Sequence, residues 1–172
     1  MNFDPNLLNK NPDLAKFSKS IFEVLEDNTL LTLATVNKDG TPHVNTAYFT
    51  FDQNINLYIW TEPSTKHSHN VEKNPSVAVT IFDSREPWGK PHKGLQVFGV
   101  CKQLDAKEQE YAFVLYLKRF PKLQELAETS DDITNKFVSR FYKIRVDIIK
   151  LIDERRYGVE THFVIKIKRD KN

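Results

Sequence analysis

Apolar residues along this chain follow two rhythms, helical spacing and strict alternation, and Gly, Pro, Asn and Asp mark the switches between them. Residues 12–27 place Leu14, Phe17, Ile21, Val24 and Leu25 at helical spacing, which predicts an amphipathic helix lying on a sheet. Leu30-Leu31-Thr32-Leu33-Ala34-Thr35-Val36 predicts a strand, and Asn37-Lys38-Asp39-Gly40 supplies a tight turn whose glycine tolerates positive φ. Residues 42–52 then alternate, with Val44, Thr46, Tyr48 and Thr50 on one face and Asn45, Ala47, Phe49 and Phe51 on the other. Gln53-Asn54 turns this run into a third strand over residues 55–60. A short helix follows Pro63, with Ser64 or Thr65 as its cap and Asn74-Pro75 as its end.

Two further strands are predicted over residues 76–83 and 95–104, separated by a loop that holds Pro87, Trp88, Gly89, Pro91 and Gly94. Tyr111, Val114, Leu115 and Lys118 mark a helix over residues 105–120 that stops at Pro121. Residues 122–129 read as another short helix, and Ser130-Asp131-Asp132 as a break. Residues 138–153 and 158–168 alternate as strands around an Asp-Glu-Arg-Arg-Tyr-Gly turn. The strands cluster in hairpins instead of alternating with long helices, which favours an α+β fold built on an antiparallel barrel with flanking helices. With no internal repeat or linker, residues 1–172 are expected to form one domain.

Charge narrows the functional classes. Lys and Arg number 25 against 23 Asp and Glu, so no strong field argues for nucleic acid or a membrane surface. The basic stretch over residues 166–171 is read as a solubilising end, with phosphate-backbone binding as the competing reading. A single cysteine rules out an internal disulfide and a cysteine-rich zinc site, and Cys101 within an apolar strand reads as a packed thiol. Met1-Asn2-Phe3-Asp4-Pro5 lacks the basic start and apolar stretch of a secretory signal, and no run approaches the length of a membrane span. The expectation is a soluble, cytoplasmic protein.

Candidate chemistry concentrates in residues 60–75, where an aromatic strand end, hydroxyls and a lysine meet a helix start. Free N–H groups and the positive helix end attract an anion there, while Lys66 in the first turn is unfavourable unless an anion sits beside it. The competing reading is a solvated lysine on an ordinary capped helix. His67 and His69 lie two residues apart, point to different faces of a helix, and have no acidic or cysteine partner at a useful spacing, so no metal is expected. Tyr48 and Trp60 also suit core or interface packing, and Gln96 suits a strand start. Glycine fingerprints, a nucleophile elbow and a Ser-His-Asp triad are absent from the sequence.

The series Leu57-Tyr58-Ile59-Trp60-Thr61, Ser64-Thr65-Lys66-His67 and Asn70-Val71-Glu72-Lys73-Asn74-Pro75-Ser76-Val77 resembles the pyridoxamine 5'-phosphate oxidase-like FMN-binding split barrels. Gly94-Leu95-Gln96-Val97-Phe98-Gly99 is similar to the family strand whose glutamine contacts the flavin. Leu31 to Thr35 followed by Asp39-Gly40-Thr41-Pro42-His43-Val44 is similar to its first hairpin. Lys118-Arg119-Phe120-Pro121 resembles a segment of the small bacterial members. The likeness covers about residues 15–105; no counterpart of the oxidase's own C-terminal tryptophan and arginine pattern follows residue 150, which argues against vitamin B6 oxidation.

What the resemblance implies is an FMN-binding protein, a flavin-dependent oxidoreductase or reductase of a small-molecule substrate. The phosphate would be held by Lys66 with Thr65, Ser64 and Thr61 as hydroxyl donors, and by His67 at the second basic position of the family's clamp. Asn45, Thr46, Ala47 and Tyr48 would run along the isoalloxazine beside Trp60, and Gln96 would bond the pyrimidine side. The family implies a homodimer with flavin at the subunit interface, within reach of the loop around Trp88. No catalytic side chain is assigned, because the flavin carries the hydride or electrons. The alternative is a non-catalytic split barrel that holds flavin or haem.

Overall fold

The computed structural model describes residues 2–3 and 13–168. Its strands are β1 (Asn2–Phe3), β2 (Leu30–Val36), β3 (Pro42–Phe51), β4 (Leu57–Thr61), β5 (Ser76–Phe82), β6 (Lys93–Gln103), β7 (Arg140–Asp153) and β8 (His162–Lys168). Its α-helices are α1 (Leu14–Asp27), α2 (Lys66–Lys73), α3 (Ala106–Arg119), α4 (Ser130–Lys136) and α5 (Glu154–Tyr157), with a turn of 3-10 helix at Pro121–Glu125. Residues 169–171 of the expected basic stretch lie outside the described residues. Among the described residues no helix is long and apolar enough to cross a membrane.

Six strands close a ring in the order β7-β4-β3-β2-β5-β6-β7, every pairing antiparallel. The expected antiparallel barrel with flanking helices is therefore the fold. β7 is long enough to change partner: Arg140 to Ile144 pair with β4, Ile148 to Ile152 pair with β8, and β6 runs along its other edge. A register shift at Phe98/Gly99 breaks the β6–β7 ladder, a bulge of the kind that bends long strands around a barrel corner.

Local chemistry sets the turns. In the β2–β3 hairpin Asn37 N donates to Thr41 O at 2.8 Å, Gly40 N donates to Asn37 O at 2.9 Å, and Gly40 takes φ of 83°. After β3, the buried Asp52 carboxylate accepts from Asn54 N, Asn56 N, Asn56 Nδ2 and Tyr58 OH at 2.7–2.9 Å. That cluster holds Ile55 at a positive φ of 57° and delays β4 to Leu57, two residues beyond the expected strand start. Asp13 accepts from Ala15 N and Lys16 N to start α1, whose Phe17, Ile21, Val24 and Leu25 are buried in the barrel cluster.

Alternation sorts β4 between two cores. Leu57 and Ile59 join the barrel interior with Leu31, Leu33, Val79 and Ile144, while Tyr58 joins Phe141 in a second cluster beneath Ala112, Phe113, Tyr116, Leu123 and Ile133. Two expectations fail here. Ser130-Asp131-Asp132 starts α4 instead of breaking the chain, because Thr129 Oγ1 accepts from Asp132 N while Asp132 accepts from Thr129 N in a capping box. Residues that disfavour a helix interior favour its first turn. The helix expected over residues 122–129 shrinks to the 3-10 turn behind Pro121.

Candidate functional site

β3 and β4 pair only through Phe49, Thr50 and Phe51, a ladder as short as that between β2 and β5. Residues 42–48 of β3 pair with β2 alone among the described strands. Phe49 N donates to Thr29 O on the β2 side, so the alternation of backbone groups turns those of Val44, Thr46 and Tyr48 toward the opposite edge. There Tyr48 O accepts from Tyr116 OH of α3 at 2.7 Å. Beyond that contact the edge borders a cavity of about 580 Å³.

Asn45, Thr46, Ala47, Tyr48, Trp60, Thr61 and His67 all line this cavity, which brings together seven of the residues singled out from sequence. Two carry buried polar atoms with no hydrogen-bond partner: Asn45 Oδ1, an acceptor, and Trp60 Nε1, a donor. Burying such groups unpaired is costly, and these two border one cavity. The Trp60 indole is fixed edge-on to Phe137 at 5.2 Å and beside Phe141 at 6.1 Å.

His67 closes the α2 end of the cavity. Its Nε2 lies 2.8 Å from Thr61 Oγ1 and 3.1 Å from Thr65 Oγ1, and its ring stacks on His43 at 6.3 Å and 13°. Burial, with the neighbouring His43 adding to it, pushes the His67 pKa below the ordinary imidazole range, so His67 is a neutral hydrogen-bonding ring at pH 7. Of the five α-helices, α2 alone starts without a side-chain cap, and its first turn carries no acidic residue. Thr65 occupies the cap position, but its hydroxyl donates to Glu62 O at 2.8 Å and meets Ser68 Oγ at 2.8 Å. Ser64 Oγ donates to Glu62 Oε2 at 3.3 Å.

Lys66 and Gln96 lie elsewhere. Lys66 is exposed and borders a neighbouring groove of about 550 Å³ with Lys38, Asn70 and Lys73. It leans toward the β2–β3 turn, where the Thr41 hydroxyl and backbone hold the Asp39 carboxyl below its ordinary range and the Lys66 charge adds to the effect. Gln96 sits on the outer face of β6, level with Thr80, Thr32 and Thr46 across the sheet, in a separate depression beside Phe82 and His92. Trp88 is fully exposed on its loop.

The far wall of the cavity, made by Tyr116, Phe120, Lys122, Leu123 and Leu126, escaped the sequence reading. Its signal was the Lys118-Arg119-Phe120-Pro121 segment. Arg119 donates to Leu25 O and Asn28 O at the end of α1 and lies over the rings of Phe49 and Phe51, while Pro121 ends α3 and opens the turn that carries the wall.

A family model described as pyridoxamine 5'-phosphate oxidase matches residues 17–146, which contain β2 through β6 and the entire cavity lining. The chain belongs to the pyridoxamine 5'-phosphate oxidase family. The relative YhbP, a UPF0306 protein of Salmonella schwarzengrund, is 28% identical over 136 residues that span 75% of this chain and 81% of the relative. A Clostridium acetobutylicum protein related to general stress protein 26, of the pyridoxinephosphate oxidase family, superposes with a TM-score of 0.65 at 16% identity, covering 88% of this chain and 95% of that one. A haem-binding protein from Mycobacterium smegmatis superposes with a TM-score of 0.67 at 16% identity, covering 91% of this chain. The chain spans only 59% of that longer protein. At such identities these structures establish the shared fold. The cavity runs along the β3–β4 seam.

Proposed function

We propose that the chain binds FMN along the open edge of β3 and serves as a flavin-dependent oxidoreductase acting on a small molecule, with residues 1–172 working as one unit. The observation that carries this reading is the unpaired backbone edge at Thr46, flanked on the same cavity by the partnerless Asn45 Oδ1 and Trp60 Nε1. A planar ring edge that mixes carbonyl acceptors with N–H donors satisfies all three. FMN supplies the hydride or electron transfer. The protein's share is to orient the ring on β3, to exclude water with Tyr116, Phe120 and Leu123, and to hold the phosphate at the uncapped start of α2. There His67, its Nε2 already engaged by Thr61 and Thr65, stands beside the phosphate as a neutral ring, and the flexible arm of Lys66 would reach over from the adjoining groove.

The proposal extends to a homodimer. Val44 and Tyr48 are 58% and 62% exposed on the outer sheet face, and Leu30, Phe98 and Phe82 are exposed there too. Such a face is an interaction surface. Gln96 lies on the same face, so a second copy packed on it is what would carry Gln96, and the Trp88 loop, to a flavin held by its partner. The alternative, a non-catalytic split barrel holding flavin or haem, draws on the Mycobacterium smegmatis haem-binding protein of the same fold. His67 Nε2, already engaged by two threonine hydroxyls, speaks against its use as an iron ligand.

Quenching of flavin fluorescence tests the phosphate assignment. Wild-type protein is expected to bind FMN about tenfold more tightly than riboflavin, and Lys66→Ala to lose most of that difference. Equal affinity of the wild type for the two flavins would remove the phosphate from the α2 start.

A further inference from the structure

We propose that Lys122 makes the cavity selective for substrates that carry an anionic group on an apolar body. The inference rests on the flavin reading of the same cavity and concerns the space left beside the flavin. The cavity lining contains no Asp or Glu, and its only titratable side chains besides tyrosine are His67 and Lys122. His67 is held neutral, so Lys122 carries the one full charge. It takes part in none of the ion pairs among the described residues. Lys118, one turn earlier, faces a different depression that Glu26 and Asp52 share.

The backbone under Lys122 is fixed. Pro121 opens the 3-10 turn, Leu123 N donates to Phe120 O at 2.9 Å, and the Leu123 side chain is buried. Lys122 is exposed, and the cavity rim it shares is apolar: within one chain Leu30 is 45% and Leu126 53% exposed, with Tyr48 and Phe120 packed edge to face at 5.7 Å. An apolar rim with one cation and no carboxylate suits an amphipathic anion, because its apolar body covers the rim and no internal acid competes for the lysine. A neutral or cationic occupant leaves the lysine unanswered.

The probes are 4-phenylbutyrate and its uncharged analogue 4-phenylbutanol, titrated into FMN-loaded protein and followed by the flavin absorbance change, and into flavin-free protein followed by tryptophan fluorescence. Wild-type protein is expected to bind the carboxylate about tenfold more tightly than the alcohol. Lys122→Met is expected to abolish that preference and Lys122→Glu to invert it. Lys118→Met should keep both that preference and the wild-type FMN affinity, and the flavin-free titration reads the Lys122 variants independently of any change in FMN binding. No preference in the wild type, no binding of either probe, or a preference that survives in Lys122→Met overturns the proposal. Loss of FMN binding in the wild type strikes the flavin reading instead, and the tryptophan titration then decides the role of Lys122 by itself.

Discussion

Gly99→Ala is expected to destabilise the protein by about 3 kcal/mol or more, the upper range for a single substitution. Gly99 sits where the β6–β7 register shifts, and a Cβ built there overlaps the backbone carbonyl of Arg145. The nearest obstacle is main chain belonging to β7, the strand that closes the ring to β4, so no side-chain rotation relieves the clash. Relief requires the two strands to separate at the bulge, which opens the barrel's longest ladder. Urea unfolding of Gly99→Ala beside the wild type checks this; a midpoint within about 0.5 kcal/mol of the wild type would show that the bulge admits a side chain.

Arg119→Ala is expected to cost about 3 kcal/mol as well, by a different route. The guanidinium is half buried, donates to Leu25 O at 2.6 Å and to Asn28 O, and lies 5.0 Å from the centroids of both Phe49 and Phe51. Its removal leaves carbonyls at the α1 end unanswered and three aromatic faces, counting Phe120, without their cation. Arg119→Lys should recover only part of the loss: both bonds leave the single nitrogen Nη2, which an ammonium can imitate, but the planar guanidinium over the Phe49 and Phe51 rings is lost. Because Phe120 and Lys122 follow directly, the same substitution should also loosen the cavity wall and weaken ligand binding. Full stability in Arg119→Ala, measured by urea unfolding, would contradict the clamp.

Much of this architecture is legible in the chain itself. The strand Leu30–Val36 and the following hairpin are marked by alternation that ends at Asn37 and by a glycine that takes positive φ. The helix Ala106–Arg119 is bounded by a capping aspartate and a proline. α4 is not legible in the same way, since seven mostly polar residues bury only Ile133 and offer no periodic face. The short β1 pairing with β8 joins chain ends that no local pattern connects.

The candidate site divides along similar lines. Residues on β3, β4 and the start of α2 are contiguous in sequence and carry a recognisable order, so Asn45 to Tyr48, Trp60, Thr61 and His67 are found together on one cavity. The opposite wall comes from residues 116–126, and it is held facing β3 by contacts distant in sequence: Tyr116 to the Tyr48 carbonyl and Arg119 over Phe49 and Phe51. Lys66 adjoins His67 in sequence but turns to the next groove, as neighbouring residues on a helix point in different directions.

The central claim is that the seam between β3 and β4 holds FMN. The most direct measurement is a visible absorption spectrum of purified protein incubated with FMN, or separately with haemin, and then desalted. Retention of flavin bands in stoichiometric amount, with no retained haem, is the predicted result; retained haem with no retained flavin would contradict the account.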